Sequence, residues 1–256
     1  MTTPGPRVHV VLPAYNEEAA IGRVLDRIED ALTAAQIGHT VLVVDDGSVD
    51  GTARVVQERA ARRPAVRLQR HATNLGLGPT LRDGLFVAAV AAADADVVVT
   101  MDADDTQPPE LIPAMMRRIA GGADVVIASR YEAGARTLGV PLHRRALSRA
   151  GSLLFRMVLP IEGVRDFTCG YRAYRASVLK AAIQSHGERF VDQQGFQSMV
   201  DVLLKLRGRG LTFAEVPLVL RYDAKAGASK MKVGPTIGRT LLLLGRRRFL
   251  GRRRVG

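Results

Sequence analysis

Tryptophan is absent from this 256-residue sequence, aromatic residues account for 5% of it, and Cys169 is the single cysteine. One cysteine excludes a disulfide framework within the chain and any metal site built from several thiolates. Aromatic residues are scarce and form no module with basic residues, which argues against a nucleic-acid-binding protein. We therefore expect no nucleic-acid partner, and nucleic-acid binding stays only as the alternative that bulk charge suggests.

Long apolar runs are also missing. No stretch reaches the roughly 18 apolar residues that indicate a transmembrane helix, and the short polar segment 1–6 does not resemble a signal peptide. Hydrophobic residues nevertheless make up 47% of the chain. A chain of this length and composition can form one large α/β domain with a substantial core.

Positive charge is present in excess. The formal net charge is +12, and arginine supplies most of it, because the chain has only five lysines. Such an excess implies anionic partners such as nucleic acid, anionic lipid or phosphorylated substrates. Six arginines crowd the C-terminus, where they form either a membrane-binding cluster or a solubilising tail: Arg246, Arg247, Arg248, Arg252, Arg253 and Arg254.

Short apolar runs alternate with amphipathic segments through the first 130 residues. Predicted strands cover residues 8–13, 41–44, 66–69, 97–101 and 124–128, and helices begin near residues 17, 52, 78 and 108. This alternation predicts an α/β fold with a mainly parallel, doubly wound sheet and helices on both faces.

Two carboxylates follow the fourth predicted strand. Asp102 and Asp104 are two residues apart on extended chain, so both side chains can point the same way. Hard oxygen ligands at this spacing suit Mg²⁺ or Mn²⁺, which in turn can hold a diphosphate. The alternative is a solvated acidic turn that caps the next helix.

The other polar and glycine-rich segments, residues 14–18, 45–52 and 74–78, also follow predicted strands. The carboxyl ends of parallel strands meet at one edge of a sheet, where ligands bind in such folds. This convergence predicts a nucleotide-type site. No G-x-G-x-x-G follows the first strand and no Walker A sequence occurs, so the site is not of the usual dinucleotide or P-loop kind.

In this order and spacing, the segments resemble the family 2 glycosyltransferases of GT-A fold, and within them the dolichyl- and polyprenyl-phosphate mannose synthases. The resemblance covers about residues 7–232. It is carried by residues 13–17 (PAYNE), 45–48 (DDGS), 50–52 (DGT), 74–78 (NLGLG), 102–104 (DAD), 108–110 (PPE), 129–131 (SRY) and 229–230 (SK), and by Asp166, Gly170 and Arg172.

The resemblance implies a Rossmann-like GT-A domain and a set of site residues. It assigns Asp102 and Asp104 to Mg²⁺ or Mn²⁺, Asp104 and Arg130 to catalysis, and Arg130, Arg172 and Lys230 to phosphate groups. The implied pocket for the nucleotide sugar, GDP- or UDP-linked, is lined by Pro13, Ala14, Tyr15, Glu17, Asp45, Asp46, Asp102 and Ala103.

The third metal ligand is open. Where the family often has a glutamine two residues after the second aspartate, this sequence has Thr106, followed by Gln107. We assign Gln107 to the metal, with Asp105, Thr106 or water as alternatives.

The resemblance implies an inverting transfer of a hexose, mannose or glucose, to a polyprenyl phosphate. The alternative is a family member with a soluble hydroxyl acceptor. In that case Asp201, on a helix predicted over residues 195–206, is the base that deprotonates the hydroxyl.

Two segments indicate contact with an anionic membrane surface. On a helix predicted over residues 143–159, Leu147, Ala150, Leu154, Met157 and Val158 share one face, opposite Arg145, Arg149 and Arg156. Such a helix either lies in a membrane interface or packs on its own domain. Residues 233–256 form a second, apolar and basic segment after the catalytic domain (1–232). We therefore expect a cytoplasmic protein, peripheral at the inner face of the cell membrane.

We also expect a late strand over residues 211–221. Residues 226–232 form a predicted Gly/Ser/Lys loop over the donor.

Overall fold

The computed structural model describes residues 5–195, 197–207 and 210–222. The strands in this part of the chain are β1 (Val8–Ala14), β2 (His39–Asp45), β3 (Val66–Arg70), β4 (Val97–Thr100), β5 (Val125–Ser129), β6 (Arg136–Leu138), β7 (Arg172–Arg175), β8 (Phe213–Pro217) and β9 (Val219–Arg221). Seven of these described strands form one sheet in the order β3-β2-β1-β4-β7-β5-β8, and β6 pairs with β9 separately.

The main sheet is parallel except at one strand. Strand β7 runs antiparallel between β4 and β5, with Arg172 opposite Thr100. The predicted mainly parallel α/β sheet is therefore confirmed. Because β7 runs antiparallel, the segment that precedes it, residues 166–171, lies at the same edge as the carboxyl ends of β1 and β4. There the Thr100 hydroxyl donates to the Gly170 carbonyl at 2.7 Å.

Helices cover both faces of the sheet. The described helices are α1 (Glu18–Ala34), α2 (Thr52–Ala60), α3 (Leu77–Ala91), α4 (Ile112–Ala120), α5 (Leu142–Val158), α6 (Ala176–His186) and α7 (Gln197–Leu206). In β1, Val10 and Leu12 join the core that α1 and α4 cover, whereas Val11 joins the core that α3 and α6 cover. Burial on both faces explains why β1 is a nearly continuous apolar run.

One predicted strand is wrong in its extent. The expected strand over residues 211–221 is two strands, β8 and β9, which pair in different sheets. The chain leaves the main sheet at Pro217, which has no backbone N–H to continue a ladder. A 3₁₀ turn, Pro109–Leu111, also precedes α4.

Several sequence-based predictions fall outside the described residues. These are Lys230 with its loop, residues 226–232, and the apolar and basic segment, residues 233–256. Among the helices that the structure describes, none combines the length and the hydropathy needed to cross a bilayer.

Candidate active site

A cavity lies at the sheet edge where β1 and β4 end. The structure brings ten of the predicted site residues to its wall: Pro13, Ala14, Tyr15, Glu17, Asp46, Asp102, Ala103, Asp104, Gln107 and Arg130. They come from the last residues of β1 and from the loops after β1, β2, β4 and β5. The edge predicted from strand order therefore holds most of the predicted site.

Asp102 and Asp104 both line the cavity, and neighbouring side chains orient each carboxylate. Asp104 Oδ1 accepts hydrogen bonds from the Thr106 hydroxyl at 2.6 Å and from the Thr106 backbone N–H at 3.2 Å. Gln107 Nε2 donates to Asp102 Oδ2 at 2.7 Å. The pair is thus held in place before any ligand binds.

The donor set fits a cation that shares its coordination with a substrate. Within the described residues, no group of three His, Cys, Asp or Glu side chains could hold a metal ion. Mg²⁺ typically takes one or two carboxylates and completes its octahedron with water and substrate phosphates. Asp102 and Asp104 match that pattern.

The candidates for a third ligand are engaged with the protein. The Gln107 amide oxygen accepts the backbone N–H of Asp102 at 2.9 Å. Asp105 has a left-handed backbone (φ 62°) and pairs with Arg23 and Arg27 of α1. Because the Asp105 carboxylate is bound to α1, it anchors this loop to the domain instead of facing a shared ion.

Asp46 organises the wall of the cavity that follows β2. Its carboxylate accepts the backbone N–H groups of Leu75 and Gly76 at 2.9 and 2.8 Å. It also contacts His71 Nδ1 at 2.9 Å, and His71 Nε2 lies 3.2 Å from Asp83. Sequence reasoning missed His71, although its position directly after β3, at the same sheet edge, is a signal that points to it.

Asp45 stabilises the turn after β2 and does not line the cavity itself. It is fully buried, accepts the Ser48 N–H at 3.0 Å and pairs with Arg70. The turn that follows requires glycine: Gly47 has φ +69°, and a Cβ there would lie 2.5 Å from the backbone of Thr73. The prediction that Asp45 lines the nucleotide pocket is therefore replaced by a role in shaping the turn.

Arg130 lines the cavity, and its guanidinium is paired with the buried carboxylate of Asp166. Its Nε and Nη2 donate to the two carboxylate oxygens of Asp166 at 2.8 and 2.7 Å, and Nη2 also donates to the Thr168 hydroxyl at 2.6 Å. Burial disfavours the charged form of both the guanidinium and the carboxylate. The Arg130 guanidinium nevertheless holds the pKa of Asp166 below its usual value, and Asp166 raises that of Arg130. Both therefore stay ionised.

Arg172 does not reach the cavity. It is completely buried, and its guanidinium donates to the backbone carbonyls of Met199 and Phe167 at 2.6 and 2.8 Å. The structure does not place it at a substrate phosphate, and its predicted contact with one stays a prediction. Its place on β7, the strand inserted between β4 and β5, puts it inside the domain, where it ties the segment before β7 to α7.

Asp201 is also not part of the cavity lining. It is fully buried on α7 and forms an ion pair with Lys205 at 2.5 Å, one helical turn away. The predicted helix is present, but its acidic residue faces inward. The structure therefore does not place Asp201 as a base toward an acceptor in this cavity.

Cys169 lines the cavity but is a poor nucleophile. Burial, together with the nearby charge of Asp166, raises the pKa of its thiol to about 12. Since the thiolate is the reactive form, the side chain acts as a small hydrophobe.

A second cavity adjoins the first and shares Arg130, Leu220 and Tyr222 with it. Its wall carries three further arginines, Arg144, Arg145 and Arg149, and no carboxylate occurs in this described lining. Six other residues of the wall are apolar or aromatic, and Thr137, Gly139 and Ser148 complete it: Tyr131, Ala135, Val140, Pro141, Leu220 and Tyr222. This combination favours an anionic group attached to an apolar body.

Helix α5 forms one side of that second cavity and turns an apolar surface to solvent. Leu142, Leu147, Leu153 and Met157 are 77%, 48%, 55% and 66% exposed, whereas Phe155 packs into the core. The Tyr131 hydroxyl donates to the Ser148 carbonyl at 2.9 Å and so ties the helix to the segment after β5. The predicted amphipathic helix is present, with much of its apolar side unpacked.

Comparison with known proteins gives a family and a fold. The profile of the family "Glycosyl transferase family 2" matches residues 9–182. An undecaprenyl-phosphate mannosyltransferase from Micrococcus luteus is 37% identical over 89% of this chain and 88% of its own. A dolichyl-phosphate hexose transferase from Haloferax volcanii is 35% identical over 91% of both chains.

Among solved structures, glucosyl-3-phosphoglycerate synthase from Mycobacterium tuberculosis, crystallised with Mn²⁺, UDP and phosphoglyceric acid, superposes with a TM-score of 0.66. The alignment covers 94% of this chain and 78% of that one, at 22% identity. At this identity the likeness concerns the fold alone, and it matches the GT-A fold expected from the sequence.

Proposed function

The chain belongs to glycosyl transferase family 2 and is a glycosyltransferase of GT-A fold, and on this premise we propose that it transfers a hexose from a nucleoside-diphosphate sugar to a polyprenyl phosphate. The donor is a GDP- or UDP-sugar and the hexose is mannose or glucose. The relatives named for mannosyl and for hexosyl transfer to lipid phosphates support this substrate class.

The observation that carries the proposal is the second cavity, which lies beside the first. Arg144, Arg145 and Arg149 supply its positive charge, and Arg130 is common to both cavities. Guanidinium groups bind phosphate oxygens through paired hydrogen bonds. A phosphate bound there sits next to the donor, and its apolar tail continues along the exposed side of α5.

The first cavity holds the donor in this proposal. Asp102 and Asp104 would hold Mg²⁺ or Mn²⁺, while Thr106 and Gln107 keep the two carboxylates oriented. When bound, the cation would offset charge on the departing diphosphate. Tyr15, Glu17 and Asp46 line the side of the cavity that is left for the nucleoside.

The reaction needs no general base. An acceptor phosphate oxygen attacks the anomeric carbon, a new carbon–oxygen bond forms, and the bond to the diphosphate breaks on the opposite face, which inverts the configuration. A phosphate monoester has a second pKa of about 6, so its oxygen is already ionised near neutral pH. This agrees with the burial of Asp201, which the hydroxyl-acceptor alternative would need at the site.

Arg130 has the position to serve both substrates. Asp166 and Thr168 hold two of its nitrogens, and among the described residues Nη1 alone of this guanidinium lacks a protein partner. In the proposed complex, Nη1 offsets the repulsion between the acceptor phosphate and the diphosphate and brings the reacting atoms together.

The lipid acceptor requires access to a membrane, and α5 supplies a surface for it. Its exposed leucines and methionine lie beside Arg149 and Arg156, which are also exposed. Apolar side chains with flanking arginines favour the interface of an anionic bilayer. We therefore propose peripheral binding through α5.

The test is transfer of radiolabelled sugar by the purified full-length chain. The reactions contain Mg²⁺ or Mn²⁺, a panel of GDP- and UDP-sugars, and a short-chain polyprenyl phosphate in detergent. Label that enters the organic phase only when the polyprenol carries its phosphate supports the proposal. Label transferred to unphosphorylated polyprenol, or to a soluble hydroxyl compound in its place, would overturn it.

A further inference from the structure

Arg130 owes its orientation to the segment that precedes β7. The Asp166 carboxylate, fully buried, receives Nε and Nη2 of Arg130 and also the Arg130 backbone N–H at 3.1 Å. The same carboxylate accepts the N–H of Cys169 at 3.1 Å. Any displacement of Asp166 therefore moves the guanidinium at the junction of the two cavities.

A second acid, Glu215, holds Asp166 in its turn. One oxygen of Glu215 accepts two consecutive backbone N–H groups, from Arg165 at 2.6 Å and from Asp166 at 2.7 Å. On its other side, the Arg165 carbonyl accepts the Ser152 hydroxyl of α5 at 2.6 Å. The segment is thus fixed between β8 and α5.

Glu215 lies on a strand of the main sheet. It lies within β8, opposite Ile127 of β5, and is 7% exposed. Burial raises the pKa of its carboxyl group, whereas the two backbone hydrogen bonds lower it. Glu215 is buried on β8, the edge strand of the described sheet, and lines neither cavity described above, so it meets no substrate in the proposed function. Its hydrogen bonds to the backbone of Arg165 and Asp166 instead connect it to Arg130.

We propose that Glu215 is a positioning residue for Arg130. It fixes the backbone of Arg165 and Asp166, and the Asp166 carboxylate then sets the guanidinium between donor and acceptor. The proposal rests on the proposed function only for the acceptor used in the assay.

The kinetic test compares Glu215→Ala in two backgrounds. In the wild-type background we expect kcat/KM for polyprenyl phosphate to fall about tenfold to a hundredfold, because a small misplacement of a positioning group is costly. We expect the KM for the nucleotide sugar to change less than about twofold. In an Arg130→Ala background, Glu215→Ala should cost less than about twofold more, since the two residues act through one path. Equal losses in both backgrounds would overturn the proposal.

Conservative variants separate positioning from a general loss of structure. Glu215→Gln keeps an amide oxygen for both N–H groups and should restore most of the acceptor kcat/KM. Glu215→Asp, which is one methylene shorter, should not restore it, and it also serves if the alanine variant fails to fold. Glu162→Ala is the matched control, because Glu162 is exposed in the same surface cleft as Glu215. A Gln variant as impaired as the Asp variant contradicts the proposal.

A crystal structure of a folded Glu215 variant gives a readout that does not depend on the acceptor. We expect the paired contacts between Arg130 and Asp166 to be lost or displaced in Glu215→Asp and kept in Glu215→Gln. Unchanged contacts in Glu215→Asp would overturn the positioning role. By contrast, a wild-type chain that puts no label into lipid contradicts the proposed function and leaves this structural test intact.

Discussion

Gln107 and Asp102 are joined by two reciprocal hydrogen bonds, from the Asp102 backbone N–H to the glutamine oxygen at 2.9 Å and from the glutamine Nε2 to Asp102 Oδ2 at 2.7 Å. The glutamine therefore fixes both the backbone and the carboxylate of the first aspartate. From the sequence we assigned Gln107 to the metal itself. The geometry favours a role in orienting a ligand, as outer groups around metal sites often do.

Replacing Gln107 by alanine should weaken metal binding without changing the fold. Loss of such an outer-shell partner typically costs tenfold or more, so we expect the Mn²⁺ dissociation constant, in the presence of nucleoside diphosphate, to rise about tenfold. Titration by electron paramagnetic resonance measures it. Gln57→Ala, at an exposed position on α2, is the control. An unchanged Mn²⁺ affinity would show that the pair of hydrogen bonds does not support the site.

Replacing Asp104 by alanine should abolish transfer while the protein stays folded. Asp104 lines the donor cavity, and its carboxylate makes the local contacts to Thr106 described above, so its loss removes charge from the site and leaves the buried core intact. Turnover of radiolabelled donor and the melting temperature are measured on the same preparation. Retained turnover by a folded variant would refute the role assigned to this residue.

Replacing Arg144 or Arg149 by glutamine should raise the KM for polyprenyl phosphate. A hydrogen bond to a charged group contributes about 1.5–3 kcal/mol, so each change should cost about tenfold or more in acceptor kcat/KM. The KM for the nucleotide sugar should not change. Arg67→Gln, exposed on the edge strand β3, is the matched loss of one positive charge. Equal effects of all three changes would point to bulk charge and not to a phosphate site.

Placing glutamate on the exposed side of α5 should release the protein from membranes. Leu153→Glu or Met157→Glu removes apolar area, and fully burying one such side chain contributes about 1.5–3 kcal/mol, so binding to anionic vesicles should weaken about tenfold or more. Vesicle sedimentation measures it. Val90→Glu on α3 is the control, because Val90 is 87% exposed on a different helix. If Val90→Glu weakens binding equally, α5 is not the docking surface.

From the sequence, we predicted which residues lie at the sheet edge more accurately than which charged side chains turn into the core. Asp102 and Asp104 were placed correctly because a parallel strand delivers whatever follows it to one edge, a rule that needs no knowledge of packing. Arg172 and Asp201 were predicted at the site but lie inside the domain, for the opposite reason. Whether a charged side chain on a strand or helix turns inward depends on which partners are buried there. Arg172 binds the carbonyls of Met199 and Phe167, and Asp201 binds the ammonium of Lys205.

The arginine cavity also lay beyond sequence reasoning. From the sequence, Arg145 and Arg149 were placed only opposite the apolar side of their helix, because a helical wheel shows only one element. The structure packs α5 beside β9 and the segment after β5, so these side chains meet Leu220 and Arg130 around one space. Residues about 70 positions apart, such as Arg149 and Leu220, come to line one cavity through topology and not through local pattern.

The Asp166–Arg130 pair predicts a specific dependence of stability on pH. Because the folded-state pKa of Asp166 is lowered, its stabilising effect is fully present above the unfolded value, about 3.9, and is lost as the pH falls through the folded value. Asp166→Asn removes this titration. We therefore expect the variant to be less stable than wild type by about 2 kcal/mol at pH 7, with the difference shrinking below pH of about 4.

Urea unfolding of both proteins across this range isolates the effect, because the other carboxylates with lowered pKa values, such as Asp26 and Asp96, are common to both and cancel in the difference. Asp94→Asn is the control: Asp94 pairs with Lys180 but is mostly exposed, and surface pairs contribute little. A gap between wild type and Asp166→Asn that stays constant down to low pH would mean that the variant only disturbs packing. A gap that closes as the acid titrates would establish the buried ion pair as the source of the stability.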